Sequence, residues 1–178
     1  KITVRLVDGF NNPIVGAGVN FQTSIGRITA AASTNANGRA AATLTSALVV
    51  GTAAVTATSE GLMLTATVPF TGSAIRGVIF ADINRNGVLD KGEPPMRGVR
   101  MVAAGATAGV RGAARSAASG AYEIANLPLT GYKVTAAASP GLRFTTRSSF
   151  DVNLGLEGVD MPRIGGAWTL YLPQVKRQ

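Results

Sequence analysis

The sequence predicts an all-β protein built from two tandem β-sandwich modules. Short runs of alternating apolar residues recur about every ten residues, separated by clusters of Gly, Asn, Pro and Ser, a rhythm typical of sandwich strands. The 178 residues include 22 glycines and 8 prolines, which supply many turns. Aromatic residues make up only 6% of the chain. We therefore expect thin cores of Val, Ile, Leu and Ala.

The strands of the first module are predicted from period-two alternation. In "ITVRLV", Ile2, Val4 and Leu6 lie on one face, and "GVNFQT" alternates in the same way with Val19 and Phe21. Three further runs follow at similar spacing: "RAAATLTS", "GTAAVTATS" and "LMLTATVPF". This succession predicts a sandwich of short strands.

One alanine-rich stretch, residues 103–118, is the only segment with a helix-like composition. It contains Gly105, Gly109 and Gly112, and glycine disfavours a helix interior. We expect no stable helix there.

A module boundary is predicted near Thr71-Gly72-Ser73. Residues 1–72 carry four basic and two acidic residues, whereas the remainder carries thirteen and seven. The predicted division is therefore a first module over 1–72, a second over 73–166 and a tail over 167–178. In the tail, alternating apolar residues indicate either the start of a further element or a strand that pairs with a partner's edge.

Composition excludes several classes of function. The chain has no cysteine and no histidine, so disulfides, thiol catalysis and the commonest general base are absent. The net charge is +8, but the arginines are scattered singly and aromatic stacking partners are few, which argues against nucleic-acid binding. No apolar run is long enough for a membrane-spanning helix. Because the chain opens directly in a strand-like segment, we interpret it as an excised or processed piece.

Residues 82–93, "DINRNGVLDKGE", hold three of the nine acidic residues of the chain. Their spacing fits a twelve-position calcium loop, with Gly87 at the sixth position, where the loop turns sharply. The predicted Ca²⁺ ligands are the side chains of Asp82, Asn84, Asn86, Asp90 and Glu93 and the backbone carbonyl of Val88. Arg85 and Lys91 are predicted to face outward.

The flanks of this loop distinguish it from a helix–loop–helix calcium site. A strand precedes it and Pro94-Pro95 follows, and proline does not lead into the middle of a helix. An ion held here would have a structural role and, with three carboxylates, a modest affinity. The alternative is a polar surface turn that holds no ion.

The first module resembles the bacterial Ig-like group 1 domain of invasin and intimin. The resemblance rests on "DGFNNPIVGAGVNFQTSIG", "TNANGRAAATLTS" and "GTAAVTATSEG" and covers roughly residues 1–70. It implies an Ig-like sandwich that acts as a rigid spacer or adhesive segment on a cell surface.

The second module resembles the B-type repeats of serine–aspartate-repeat surface adhesins, and the related carboxypeptidase regulatory-like and collagen-adhesin B-type modules. The resemblance rests on "IRGVIFADINRNGVLDKGEPPMRGVRMV" and "SGAYEIANLPLTGYKVTA" and covers roughly residues 73–164. It implies a prealbumin-like sandwich. The family often has an acidic pair before the hairpin glycine, where this chain has "SAAS", so a second metal contact from that turn is not expected.

Other candidate sites are weaker. A Lys–Asn crosslink of the kind found in collagen-adhesin modules lacks a lysine in "IRGVIF" to join Asn153. Glu123 and Asp151 are candidates for the paired carboxylates of a glycosidase. The alternative is that they are two solvated strand positions. Ser119 has no base at a recognisable spacing. The aromatic residues at strand spacing are interpreted as core or rim: Tyr122, Tyr132, Phe144 and Phe150.

Two functions follow from these features. The favoured one is a non-catalytic structural or adhesive segment of a larger cell-surface or outer-envelope protein, stiffened by calcium. Its partners would be other domains of the same protein, envelope proteins, or ligands on host or neighbouring cells. The alternative is an accessory carbohydrate- or protein-binding region of a secreted enzyme, which a concave aromatic surface would support.

Overall fold

The computed structural model describes residues 1–168, which form strands, turns and loops without a helix. The chain divides into two compact units, Lys1–Thr71 and a second unit that begins at Gly72. The all-β fold predicted from the strand rhythm is confirmed.

The first unit is built around a four-stranded antiparallel sheet. Its strands are β1 (Ile2–Arg5), β2 (Gly18–Thr23), β3 (Arg27–Ile28), β4 (Ala31–Ser33), β5 (Arg39–Ala42), β6 (Leu44–Thr45), β7 (Gly51–Ser59) and β8 (Leu62–Phe70). The sheet has the order β4-β2-β7-β8, and the pairs β1–β5 and β3–β6 accompany it.

The core of the first unit is small because its buried side chains are small. Val19 and Phe21, at alternate positions of β2, pack with Ala40, Ala42 and Ala57. The apolar face predicted for β1 is half-buried and packs against this cluster. The first unit therefore buries little apolar surface to stabilise its fold.

The turn at Asn37-Gly38 connects β4 with β5. Gly38 has a φ of 70°, and its N–H donates to the Asn35 carbonyl oxygen over 2.8 Å. A Cβ at Gly38 would meet the carbonyl oxygen of Leu6 and the ring of Pro13. Both the left-handed conformation and the close contact require glycine here.

The second unit consists of two larger sheets. Its strands are β9 (Ser73–Ala81), β10 (Arg100–Gly105), β11 (Arg111–Arg115), β12 (Ala121–Leu127), β13 (Gly131–Ala136), β14 (Leu142–Phe144), β15 (Ser149–Asn153), β16 (Val159–Asp160) and β17 (Ile164–Trp168). One sheet has the order β11-β10-β13-β15, and the other has the order β12-β9-β17-β14, with β16 also on β9.

Strand β9 is the central strand of the second unit. It pairs antiparallel with β12 on one side and parallel with β16 and β17 on the other. Ile75 and Ile79 of β9 are fully buried and pack with Met101, Val134 and Ile164. This core joins both sheets and is much larger than that of the first unit.

The alanine-rich stretch forms the hairpin of β10 and β11 rather than a helix. A Cβ at Gly112 of β11 would lie 2.6 Å from side-chain carbons of Ile124 and Leu127. The glycine therefore lets β11 approach β12 closely.

The predicted tail, residues 167–178, starts inside the sheet β12-β9-β17-β14. Ala167 and Trp168 lie in β17 and pair with Arg143 and Leu142 of β14. The remainder of the predicted tail, residues 169–178, lies outside the described residues.

Tyr122 of β12 lies across Gly77 of β9, its cross-strand neighbour. A Cβ at Gly77 would come within 2.6 Å of the Tyr122 hydroxyl. Among residues 1–168 this buried hydroxyl has no hydrogen-bond partner. Burial raises the pKa of Tyr122 to about 12, because the phenolate would be withdrawn from water.

We expect Tyr122→Phe to stabilise the second unit by about 1 kcal/mol at neutral pH, since it removes an unpaired buried hydroxyl. In the unmodified protein, stability should be fully present below pH 10 and should fall as pH rises toward 12. In that window the unfolded tyrosine ionises while the folded one stays neutral. Urea unfolding of both proteins between pH 7 and 11.5 measures both effects.

Tyr132→Phe is the matched control. The Tyr132 hydroxyl donates to the Pro128 carbonyl oxygen over 2.9 Å, so its removal should cost about 1 kcal/mol. Equal destabilisation by both substitutions would contradict the assignment of Tyr122 as unpaired.

Candidate functional site

The acidic loop 82–93 follows directly from the central strand β9. Its ends are held together by backbone hydrogen bonds, from Ala81 N–H to the Pro94 oxygen over 2.8 Å and from Met96 N–H to the Ile79 oxygen over 3.0 Å. The chain therefore leaves the sheet and rejoins it at neighbouring positions, and Pro94 and Pro95 lie where it rejoins.

Asp82 is the buried anchor of the loop. The residue is 0% exposed. Its carboxylate accepts hydrogen bonds from the backbone N–H groups of Gly87, over 2.8 Å, and Asn86, over 3.1 Å. Its own N–H donates to the Gly166 oxygen of β17 over 2.9 Å. The loop is thus tied to the strand that completes the sheet.

Two opposing effects set the ionisation of Asp82. Burial raises the pKa of its carboxyl group, but hydrogen-bond donors outweigh burial, so the net pKa lies below the ordinary value. The donors are the Thr145 hydroxyl and the backbone N–H groups of Gly87, Arg85 and Asn86. The Thr145 hydroxyl is close enough to lower the pKa, although the contact lacks the geometry of a full hydrogen bond. Asp82 is therefore a buried anion.

Asn84, Asn86 and Asp90 converge at one point of the loop. The side-chain amides of both asparagines donate to Oδ2 of Asp90 over 2.7 Å. The Oδ1 atoms of Asn84 and Asn86 accept from the N–H groups of Asn86 and Val88, over 3.0 and 2.8 Å. If the side-chain amide of Asn84 or Asn86 were rotated by 180°, its oxygen would face Asp90 in place of its nitrogen.

Glu93 closes the loop from its last position. Its Oε1 accepts from the Ile83 N–H over 2.9 Å, and its Oε2 accepts from the Asp90 N–H over 3.0 Å. The carboxylate therefore joins the first and last turns of the loop.

The remaining loop residues match their predicted orientations. Arg85 and Lys91 are exposed, and the Val88 side chain is 59% exposed. Gly87 and Gly92 have φ values of 79° and 99°, which glycine adopts without strain.

The donor chemistry of the loop fits calcium, which prefers carboxylate, amide and carbonyl oxygens. The side-chain arrangement is that of a hydrogen-bonded loop. Within residues 1–168, no group of three or more acidic side chains is gathered closely enough to hold a metal ion. The ion pair found among residues 1–168, Arg76 with Glu123 at 3.1 Å, lies outside the loop. The three loop carboxylates thus have neutral donors as their partners.

The structure does not bring the other candidates together. Glu123 lies in β12 and Asp151 in β15, on the outward faces of different sheets. Tyr122 and Tyr132 are buried in the core, and Phe144 and Phe150 pack against it while half-buried. None of these four rings forms an open sugar-binding surface.

A cleft in the first unit has no counterpart among the features predicted from the sequence. A cleft of about 230 Å³ opens in the first unit beside β8, lined by apolar residues that include Leu6, Ile14, Leu62 and Leu64. The pattern "LMLTATVPF" carried the information, because it is a long strand with no charged residue. The alternation of this segment predicts a sandwich strand but not the cleft beside it.

Comparison with known families confirms both resemblances. Residues 1–71 match the bacterial Ig-like domain (group 1), and residues 73–154 match the SdrD B-like domain. Each match falls within one of the two units. Both are Ig-like domains of bacterial surface proteins, a non-enzymatic class. No curated protein matches the chain.

Solved structures provide distant likenesses. A minor pilin of the Gram-positive pathogen Streptococcus agalactiae is 15% identical with a TM-score of 0.40, over 94% of this chain and 89% of that one. A C-terminal fragment of intimin, solved with the intimin-binding domain of its translocated receptor, is 18% identical with a TM-score of 0.39. Invasin, a bacterial integrin-binding protein, is 19% identical with a TM-score of 0.36.

The chain is much shorter than two of these proteins. It covers 56% of the intimin fragment and 34% of invasin, while 85% of its own length is matched in both cases. Over residues 1–168, the structure contains no helix able to cross a membrane.

We expect Asp82→Asn to lower the melting temperature of the second unit even in the presence of a chelator. An amide keeps the shape but presents an NH₂ group to one of the N–H donors that the carboxylate accepts, so one bond is lost. Differential scanning calorimetry measures the shift. Asp151→Asn, at an exposed position, is the control and should leave the melting temperature unchanged; an equal shift in both variants would contradict the anchoring role.

Proposed function

We propose that the chain is a non-catalytic structural and adhesive segment of a larger bacterial surface protein, in which calcium stiffens the second unit. The observation that carries the proposal is the succession of two units, each matching a different surface-protein domain family. The chain would lie outside the cell. Its partners would be other domains of the same protein, envelope proteins, or ligands on host or neighbouring cells.

The absence of chemistry suited to catalysis supports this function. The chain has neither cysteine nor histidine. Glu123, one of the two carboxylates considered for catalysis, is in an ion pair with Arg76, and Asp151 faces outward from the other sheet. Two carboxylates on opposite faces of a sandwich cannot flank one glycosidic bond.

Calcium is proposed because the loop holds three carboxylates that form no ion pair with any of residues 1–168. Asp82 is fully buried, and Asp90 and Glu93 lie in the same twelve residues. A charged group that is withdrawn from water needs compensation, and carboxylate and amide oxygens at this spacing are ligands that suit Ca²⁺. The ligands would be the side chains of Asp82, Asn84, Asn86, Asp90 and Glu93 with the carbonyl of Val88.

The position of the loop explains why an ion there would stiffen the unit. Asp82 follows β9, the central strand, and its N–H is bonded to Gly166 of β17. An ion that fixes the loop therefore restrains the junction of the first and last described strands of the second unit. The proposed role is structural, because all three loop carboxylates would be ligands of the ion and the loop has no hydroxyl or thiol nucleophile.

We expect calcium to raise the melting temperature of the second unit and to leave the first unit little changed, because the loop lies entirely in the second. Binding only to the folded form stabilises it by about 2.7 kcal/mol at a hundredfold excess over Kd. Calorimetry in calcium and in chelator measures the shift, and isothermal titration measures the stoichiometry, expected to be one ion.

Two variants separate binding from folding. Asp82→Ala with Glu93→Ala should abolish the calcium-linked shift but also weakens the loop itself. Asp90→Asn, at an exposed position, should keep the fold and reduce calcium affinity alone. Asp151→Asn with Glu157→Gln removes the same charge outside the loop and should leave the shift intact. If the unmodified protein shows no calcium-linked shift, the calcium proposal is wrong.

A further inference from the structure

Strand β8 of the first unit is a long, open sheet edge. It pairs with β7 in nine successive positions, from Gly51 opposite Phe70 to Ser59 opposite Leu62. Among residues 1–168, no strand pairs with its other side. Alternate backbone N–H and C=O groups of β8 are therefore free to accept a further strand.

This edge lacks the features that usually protect an edge strand. Charged side chains, bulges and prolines normally prevent pairing between molecules. Residues 62–68, "LMLTATV", contain no charge and no proline, and the pairing with β7 has no bulge. Pro69 protects only the last part of the strand.

The core of the first unit is open beside the same edge. Leu62 and Leu64 lie opposite Ser59 and Ala57, which are buried, so all four side chains are on the core-facing side of the sheet. Yet Leu62 is 70% exposed and Leu64 is 64% exposed. The cleft of about 230 Å³ lies against them. An added strand with an apolar residue at every second position would cover this surface.

We propose that the added strand is β8 of a second copy of this chain, paired antiparallel about a twofold axis at Thr65. Strand β8 itself has the required pattern, because Leu62, Leu64, Ala66 and Val68 share one face. The same surface on both copies would then form a self-complementary interface.

The proposed register matches large residues with small ones. Leu64 would face the partner's Ala66, and Leu62 would face the partner's Val68. On the outer face, Thr65 would face its own symmetry mate, a pairing favoured across strands. The pairing would end where Pro69, which has no N–H to donate, reaches the turn at Gly61.

Charge and area predict a weak dimer. No charged side chain lies in the paired segment, but each copy carries a net charge of +8, so the copies repel each other at long range. Salt screens this repulsion, and association should strengthen as salt rises. A seven-residue strand pair extends for roughly 23 Å, and we expect its buried area to fall at or below the usual range of about 1,200–2,000 Å² for specific interfaces.

The decisive test uses introduced cysteines, because the chain has none of its own. In Thr65→Cys the two thiols would face each other, with Cα atoms about 4.5–5.5 Å apart, within the range of a disulfide. In Thr67→Cys, on the same face, the two thiols would be separated by four residues, roughly 13 Å along the edge. Under mild oxidation, Thr65→Cys should form a covalent dimer at least tenfold faster than Thr67→Cys. Equal rates would overturn the register.

Sedimentation equilibrium tests the association itself. The unmodified chain should dimerise with rising concentration, and more so in 0.5 M than in 0.05 M salt. Leu64→Lys should reduce association at least tenfold while thermal unfolding shows an intact fold. Leu156→Lys, which replaces a leucine 71% exposed in the second unit, should leave association unchanged. A chain that is monomeric at every concentration and salt, or loss of association in both variants alike, would overturn the proposal.

Discussion

A carboxylate removed from water must have its charge compensated, and in the second unit that requirement falls on Asp82. The loop 82–93 is folded around this need, because backbone N–H groups of Asn86 and Gly87 point inward to the buried oxygens. The backbone of the same residue extends the pairing of β9 with β17, since its N–H donates to the Gly166 oxygen. Asp82 therefore organises the loop through its buried charge and joins the loop to the sheet through its backbone.

The second constraint is the thinness of the cores. With aromatic residues at only 6% of the chain, the sheets must approach closely to exclude water, and glycines make this approach possible. Gly112 of β11 lies against Ile124 and Leu127 of the facing sheet, and within one sheet Gly77 leaves room for the ring of its cross-strand neighbour Tyr122. A side chain at either position would overlap its neighbour, so the small residues act as packing elements rather than as points of flexibility.

The all-β fold and the family of each unit were predictable from the sequence because both depend on local patterns. Alternation placed Ile2, Val4 and Leu6 on one face, and the spacing of "DINRNGVLDKGE" located the acidic loop. The long-range pairing was not predictable in this way. The predicted module end at residue 166 did not anticipate β17, which runs to Trp168. Gly165 and Gly166 are buried in this strand, and a Cβ at Gly165 would meet Phe80 and Thr145 within 3 Å.

In the candidate site, too, local features were predictable from the sequence and long-range contacts were not. The position and residue types of the acidic loop are visible in the sequence, and so is the outward orientation of Arg85 and Lys91, whereas the calcium ligands stay a prediction. The burial of Asp82 was not, because it depends on a strand more than eighty residues away in the chain. The convergence of both asparagine amides on Asp90 was likewise unpredictable, since the identities of the residues permit several hydrogen-bond arrangements.

The parallel pairing of β9 with β17 also determines when the second unit can fold. Ile79 and Ile164 are both fully buried and face each other across this pairing. During synthesis from the amino end, one edge of β9 stays unpaired until β16 and β17, near the end of the described part of the unit, have been made. The first unit ends at Thr71, so all of its strands are available before most of the second unit has been made. Non-local pairing of this kind is slow, and a surface protein carrying the segment would acquire its second unit in one late step.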